Sequence, residues 1–157
     1  MKLKFLLKKS LLKTIENSVG TKMFRSSYYI LDGKETDILK NGGLSCALYV
    51  STVLYVFKLI AGPHATVAGT IKDLEKSGWR KVSSPGPGDV LVWRPAKFKN
   101  GSKHSHVGFC LASNYAISNS SKLGYPVKHH ITFGTKGTKP IIKIASIYRY
   151  ELGGKRG

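Results

Sequence analysis

Acidic residues are what this chain most lacks: 8 Asp and Glu stand against 26 Lys and Arg, a formal net charge of +18. Such a balance repels itself unless an anionic partner offsets it. Nucleic acid, anionic lipid and acidic cell-wall polymers all qualify, and charge alone does not choose among them. Cysteine is equally sparse, with only Cys46 and Cys110. That excludes a disulfide-dense scaffold, and one reactive thiol beside one buried thiol is favoured over a single disulfide. No apolar run approaches the roughly 18 residues of a membrane-spanning helix. A phosphate-cradling loop is also missing, since Gly134-Thr135-Lys136-Gly137-Thr138-Lys139 has neither the spacing nor the strand-to-helix setting. Internal repeats and a linker that would split the chain are absent. What remains, 157 residues with 41% hydrophobic and 22% charged side chains, suits one globular domain with a proper core.

The N-terminal stretch Met1 to Ile15 begins with lysines like a secretory leader, but Lys8, Lys9 and Lys13 interrupt its apolar part, which argues against a signal peptide. Leu3, Leu7, Leu11 and Ile15 recur every four residues, so residues 1–24 are expected to form a basic amphipathic helix. It either packs on the domain with its lysines in water or contacts a membrane surface. From Arg25 to Gly43, aromatic residues mix with Asp32-Gly33 and Asn41-Gly42-Gly43, which reads as mostly loop. A second helix is expected from about Ser45 to Ile60, stopped by Gly62-Pro63, and a third from His64 to Gly78.

After Ser83-Ser84-Pro85-Gly86-Pro87-Gly88 the pattern changes to short extended runs: 89–94, 106–112, 115–119, 127–133 and 141–150, with Ser113-Asn114 as a hairpin turn and Pro95 to Lys103 as a basic loop. Helices first and antiparallel strands second make an α+β domain over 25–150, followed by a loose tail at 151–157.

Chemistry concentrates at two points. Cys46 ends the loop Gly42-Gly43-Leu44-Ser45 where the second helix begins, and unpaired N–H groups at a helix start favour the thiolate. His106 opens a strand and supplies an imidazole that can take and return a proton. A third group must fix its tautomer. Asn119, on the strand after the hairpin, has an amide oxygen able to accept from an imidazole N–H; His129 or His130 on the next strand are alternatives. The backbone N–H of Cys46 is a candidate oxyanion donor, with Tyr28 or Tyr29 as possible side-chain helpers. Cys46, Cys110, His104, His106, His129 and His130 lack the paired spacing of a zinc motif, so neither metal nor cofactor is expected.

Two segments carry a resemblance. Gly43-Leu44-Ser45-Cys46-Ala47-Leu48-Tyr49-Val50 resembles the nucleophile helix of the papain-like NlpC and CHAP cell-wall hydrolases. Pro87-Gly88-Asp89-Val90-Leu91-Val92-Trp93, followed by Ser105-His106-Val107-Gly108-Phe109, resembles their paired core strands. Ser45 departs from the usual Asp or Asn before the nucleophile, and Ile117-Ser118-Asn119-Ser120 replaces the histidine common among NlpC members. The resemblance, spanning roughly Tyr28 to Tyr150, implies N-terminal helices packed on a small antiparallel sheet. It also implies a cysteine peptidase or amidase that cuts peptidoglycan through a thioester, at the cell envelope or outside the cell. Gly88-Asp89 is structural in that pattern. Related folds transfer acyl groups on lipids, which is one rival reading. The other is a nucleic-acid-binding module gripping through Trp93-Arg94-Pro95-Ala96-Lys97-Phe98-Lys99 and Tyr148-Arg149-Tyr150.

Overall fold

A computed structural model describes residues 1–97 and 103–151 of the chain. The architecture is α+β. Helices α1 (Leu7–Asn17), α2 (Cys46–Val56) and α3 (Val67–Lys76) precede most of the strands, with a hairpin of β1 (Tyr28–Leu31) and β2 (Lys34–Asp37) between the first two helices. A six-stranded sheet follows, built from β3 (Arg80–Lys81), β4 (Val90–Lys97), β5 (Lys103–Ala112), β6 (Tyr115–Ser120), β7 (Tyr125–His130) and β10 (Ile144–Arg149). Its order is β3-β10-β4-β5-β6-β7, and every pairing is antiparallel. A small hairpin of β8 (Thr135–Lys136) and β9 (Lys139–Pro140) lies between β7 and β10.

The stripe on α1 is spent on the core. Leu11 and Ile15 are buried with Tyr49, Val50, Val53 and Leu54 of α2, and the Ser18 hydroxyl meets the Tyr49 hydroxyl at 2.7 Å behind the helix end. The regular helix is shorter than the 1–24 stretch read from sequence. Similarly, α2 stops at Val56, short of Ile60, because Lys58 turns left-handed at φ 56°. The third helix starts at Val67 rather than His64. The Thr66 hydroxyl caps it by accepting from Gly69 N–H, while the His64 ring is held by Asp73 at 2.6 Å.

The largest departure is at 25–43, read as loop and found to hold a hairpin. Asp32 and Gly33, at φ 51° and 77°, form the two-residue turn that matches strand twist. Strand bounds elsewhere follow the expected runs to within a few residues. The basic loop expected at 95–103 is partly strand, as β4 runs to Lys97 and β5 starts at Lys103; residues 98–102 lie outside the described residues, as does the tail beyond Glu151.

The sheet is covered on both faces, which is why Val90-Leu91-Val92-Trp93 reads as continuous apolar sequence. Val107, Phe109 and Ile117 face α2. Leu91, Trp93, Cys110 and Ala116 face the other way, under Ile131 and Ile147. Asp89, 3% exposed, ties the turn before β4 to the neighbouring strand β10: its carboxylate accepts from Arg149 Nε at 2.9 Å, from Arg149 Nη2 at 2.7 Å and from the Gly86 N–H. This is a structural role.

Candidate active site

Three local conformations set Cys46 where it is. Lys40, Asn41 and Gly42 are all left-handed, at φ 49°, 53° and 92°, and coil the chain tightly into α2. Gly42 lies so close to Gly124 that a Cβ there would stand 2.5 Å from the Gly124 Cα, so only glycine fits. Asn119 then locks the loop, donating from Nδ2 to the Gly42 carbonyl at 2.7 Å. Ser45 occupies the N-cap position of α2 but makes no capping hydrogen bond, and the Cys46 and Ala47 N–H groups face the Cys46 sulfur instead. N–H groups beside the nucleophile with no N-cap oxygen on them are what an oxyanion needs.

Cys46 and His106 line one cleft of about 780 Å³, which Trp93, Ser118, Asn119, His129 and Phe133 also border. The Cys46 sulfur lies against the backbone of β5. Burial pushes its thiol pKa up, and the N–H groups of Val107, Ala47 and Cys46 itself pull it down less strongly. The helix start expected to lower this pKa is therefore outweighed, because removal from water penalises the thiolate more than these N–H groups favour it. No hydrogen bond joins Cys46 to His106 among the described residues. Cys110 is buried in the sheet, its thiol donating to the Ala112 carbonyl at 3.3 Å, and both cysteines are free.

His106 is half-buried, with its ring against Trp93 at 5.4 Å between centroids. A bulge in β4 between Trp93 and Ala96 adjoins this pair, the kind of irregularity that re-aims side chains near sites. Its ring nitrogen Nε2 meets Ser118 Oγ at 2.8 Å, and the same oxygen meets His129 Nε2 at 2.7 Å. His129 Nδ1 lies 2.7 Å from the His130 carbonyl, and its ring stacks on Phe133 at 4.0 Å.

This line of contacts determines where the protons sit. A carbonyl only accepts, so His129 Nδ1 carries hydrogen and, in the neutral ring, Nε2 offers a lone pair. Ser118 then donates to His129 and accepts from His106 Nε2–H. His106 is left with its lone pair on Nδ1. Burial, helped by the like charge of His129, lowers the His106 pKa from 6.5 to about 4, and burial lowers His129 as well, so both rings are neutral at pH 7.

The structure thus brings Cys46, His106 and His129 to one cleft, and joins the two histidines through a residue that sequence reasoning passed over. Ser118 sits opposite Gly108 in the β5–β6 register, two residues from His106 and on its face of the sheet. A bulge between Cys110 and Ala112 puts it there: counted straight back from the Ser113-Asn114 turn, Asn119 would stand opposite Gly108, and the one-residue shift brings Ser118 to that place. Asn119 falls on the other face, so it meets the nucleophile loop rather than the imidazole, and its Oδ1 is buried without a partner, as is Ser45 Oγ. His130 turns to Thr132, with Nδ1 2.9 Å from its hydroxyl. Tyr28 and Tyr29 are 65% and 56% exposed on the β1–β2 hairpin and do not line the cleft.

Among the described residues, no three His, Cys, Asp or Glu side chains gather where a metal ion could be held, and no helix is long and apolar enough to cross a membrane. Of the aromatic residues that would serve a nucleic-acid grip, Trp93 is fully buried with its N–H on the Ile131 carbonyl, and Tyr148 is 2% exposed; Phe98 and Lys99 lie outside the described residues. Fold and cleft together define an α+β domain with a cysteine at a helix start and a histidine on the adjoining strand. In comparison with known proteins, the chain matches no family model and no curated protein.

Proposed function

We propose that the protein is a cysteine-dependent amide hydrolase of papain-like arrangement, a peptidase or amidase whose substrate is peptidoglycan. One observation carries the reading: the line from the His130 carbonyl through His129 and Ser118 to His106, which leaves Nδ1 as the basic nitrogen of a ring that lines the same cleft as Cys46. The resemblance of the Cys46 and His106 segments to NlpC and CHAP hydrolases supports it, and the +18 charge suits an anionic wall polymer.

The resting pair is neutral, so His106 acts as a general base. As Cys46 Sγ bonds to the amide carbonyl carbon, the thiol proton passes to His106 Nδ1, and the oxyanion is met by N–H groups at the start of α2. The C–N bond then breaks, and the imidazolium returns that proton to the leaving amine. Water attacks the thioester, giving a proton to His106; the C–S bond breaks, the thiol is reprotonated and a carboxylic acid departs. Ser118 and His129 hold the ring in the tautomer that keeps Nδ1 basic. Such an activity works at the cell envelope or outside the cell.

The test is incubation of wild type and Cys46→Ala with purified peptidoglycan, with fragments read by mass spectrometry. Wild type alone should release fragments, whose new termini name the bond cut. Equal digestion by both would remove Cys46 as nucleophile, and no digestion by either would remove the substrate.

A further inference from the structure

A second concavity, of about 1080 Å³, lies at the other end of α2 from Cys46. Its apolar lining comes from the residues just before and within α1, Phe5, Leu6 and Leu12, and from the end of α2, Val56 and Phe57. Phe5, Leu6 and Val56 are 69%, 54% and 67% exposed and stand together on this one concavity. The stripe of α1 does not account for them, because Leu11 and Ile15 already face the core. Around the apolar surface stand Lys8, Lys9, Lys13 and Lys58. Glu16 is paired with Lys13 at 2.6 Å and Glu151 with Arg80, whereas Lys8, Lys9 and Lys58 form no ion pair among the described residues. Lys2 and Lys4 alternate with the exposed Leu3 along the same approach.

An apolar wedge rimmed by uncompensated lysines has one fitting counterpart, the boundary between acyl chains and headgroups of an anionic bilayer. From this complementarity we infer that Phe5, Leu6 and Val56 dock the protein on anionic lipid, with the surrounding lysines on the headgroups. This surface is independent of the chemistry at Cys46. It also orients that chemistry. Ten residues of helix separate Val56 from Cys46, about 15 Å of rise, so a bilayer at the Val56 end lies beyond reach of the nucleophile. The membrane is then an anchor rather than the source of an acyl group.

Sedimentation with phosphatidylcholine vesicles, with and without phosphatidylglycerol, tests the docking. Wild type should sediment only with the anionic vesicles, and less so as salt is raised. A Phe5→Glu, Val56→Glu variant should partition at least about tenfold less, with an unchanged melting temperature because both side chains are exposed. Phe5→Trp gives a separate readout, a blue-shifted emission when anionic vesicles are added. Failure of wild type to bind either vesicle, equal binding to both, or equal binding by the Glu variant would each overturn the inference. So would a dimer formed without lipid and lost in that variant, which would assign the surface to a second copy of the chain.

Discussion

Acid titration of His106 reaches both stability and chemistry. In the folded protein its pKa lies at about 4, lowered by burial first and by the charge of His129 second, against 6.5 for a free imidazole. As pH falls below 6.5 the unfolded chain takes a proton on this residue while the folded protein does not, so folding loses free energy down to pH 4 and no further. The gap of about 2.5 units, at about 1.4 kcal/mol per unit, amounts to about 3 kcal/mol, a large share of the stability of an ordinary domain. His129, also lowered by burial, adds to the same slope. Two lowered carboxylates act outside this window. Asp37, lowered chiefly by the Ser27 N–H, and Asp73, lowered by the His64 ring and the Ala61 N–H against its own burial, sit below the ordinary 3.8 and act only in stronger acid. Urea unfolding between pH 7.5 and 4 should therefore show a steep loss in wild type and a shallower one in His106→Gln. NMR of the imidazole Cε1–H groups, assigned with that variant, should place the His106 midpoint near 4, and the acid limb of kcat/KM should fall there too. A midpoint at or above 6.5 would refute the reasoning, for it would mean a charged imidazolium held by a thiolate in place of a neutral pair.

Ser118→Ala cuts the line between the histidines and should lower kcat by about 10- to 100-fold with little change in KM, the cost of one hydrogen bond to a group that becomes charged. Its pH profile should broaden as the tautomer of His106 is freed. Gly108→Ala should cost about 1–3 kcal/mol in urea unfolding, because the new Cβ would stand 2.6 Å from Ser118 Cβ and 2.7 Å from the Ile117 carbonyl oxygen, and the cross-strand backbone cannot yield. Asp89→Ala should destabilise by about 1–3 kcal/mol without altering the cleft, since it leaves the Gly86 N–H without its acceptor and removes both carboxylate bonds of Arg149, which keeps water and the Ser84 carbonyl. A loss under 1 kcal/mol would show that the turn before β4 does not depend on this carboxylate.

Patterning revealed the three helices, the five longer strands and the Ser113-Asn114 turn because each is amphipathic or flanked by glycine and proline. It misplaced ends that depend on a single backbone torsion, as at Lys58, and it passed over β1, whose four residues are all exposed and so show no alternation. The Asp32-Gly33 dipeptide was the available signal for that hairpin. At the site, Cys46 and His106 were legible as residue types beside distinctive glycines. Ser118 was not, because both amide chemistry and the two-residue period counted from the turn favour Asn119, and only the bulge between Cys110 and Ala112 shifts its neighbour into place. Whether a helix start lowers a thiol's pKa also depends on depth, and depth is not written in the segment around Cys46.

The β1–β2 hairpin contributes no side chain to either core cluster. What fastens it is Asp37, whose carboxylate accepts from the N–H groups of Ser27, Leu39 and Asn41 at its base. Opening it would expose almost no apolar surface that water does not already reach, so its free energy of opening is decoupled from that of the domain. In hydrogen exchange its amides should behave as a separate unit, lost early while β5 and β6 stay protected. The protein thus keeps, one residue from the Ile38 rim of its cleft, a segment that can open on its own schedule while the core stays folded, and through Asp37 on the Asn41 N–H it is fastened to the loop that leads into Cys46.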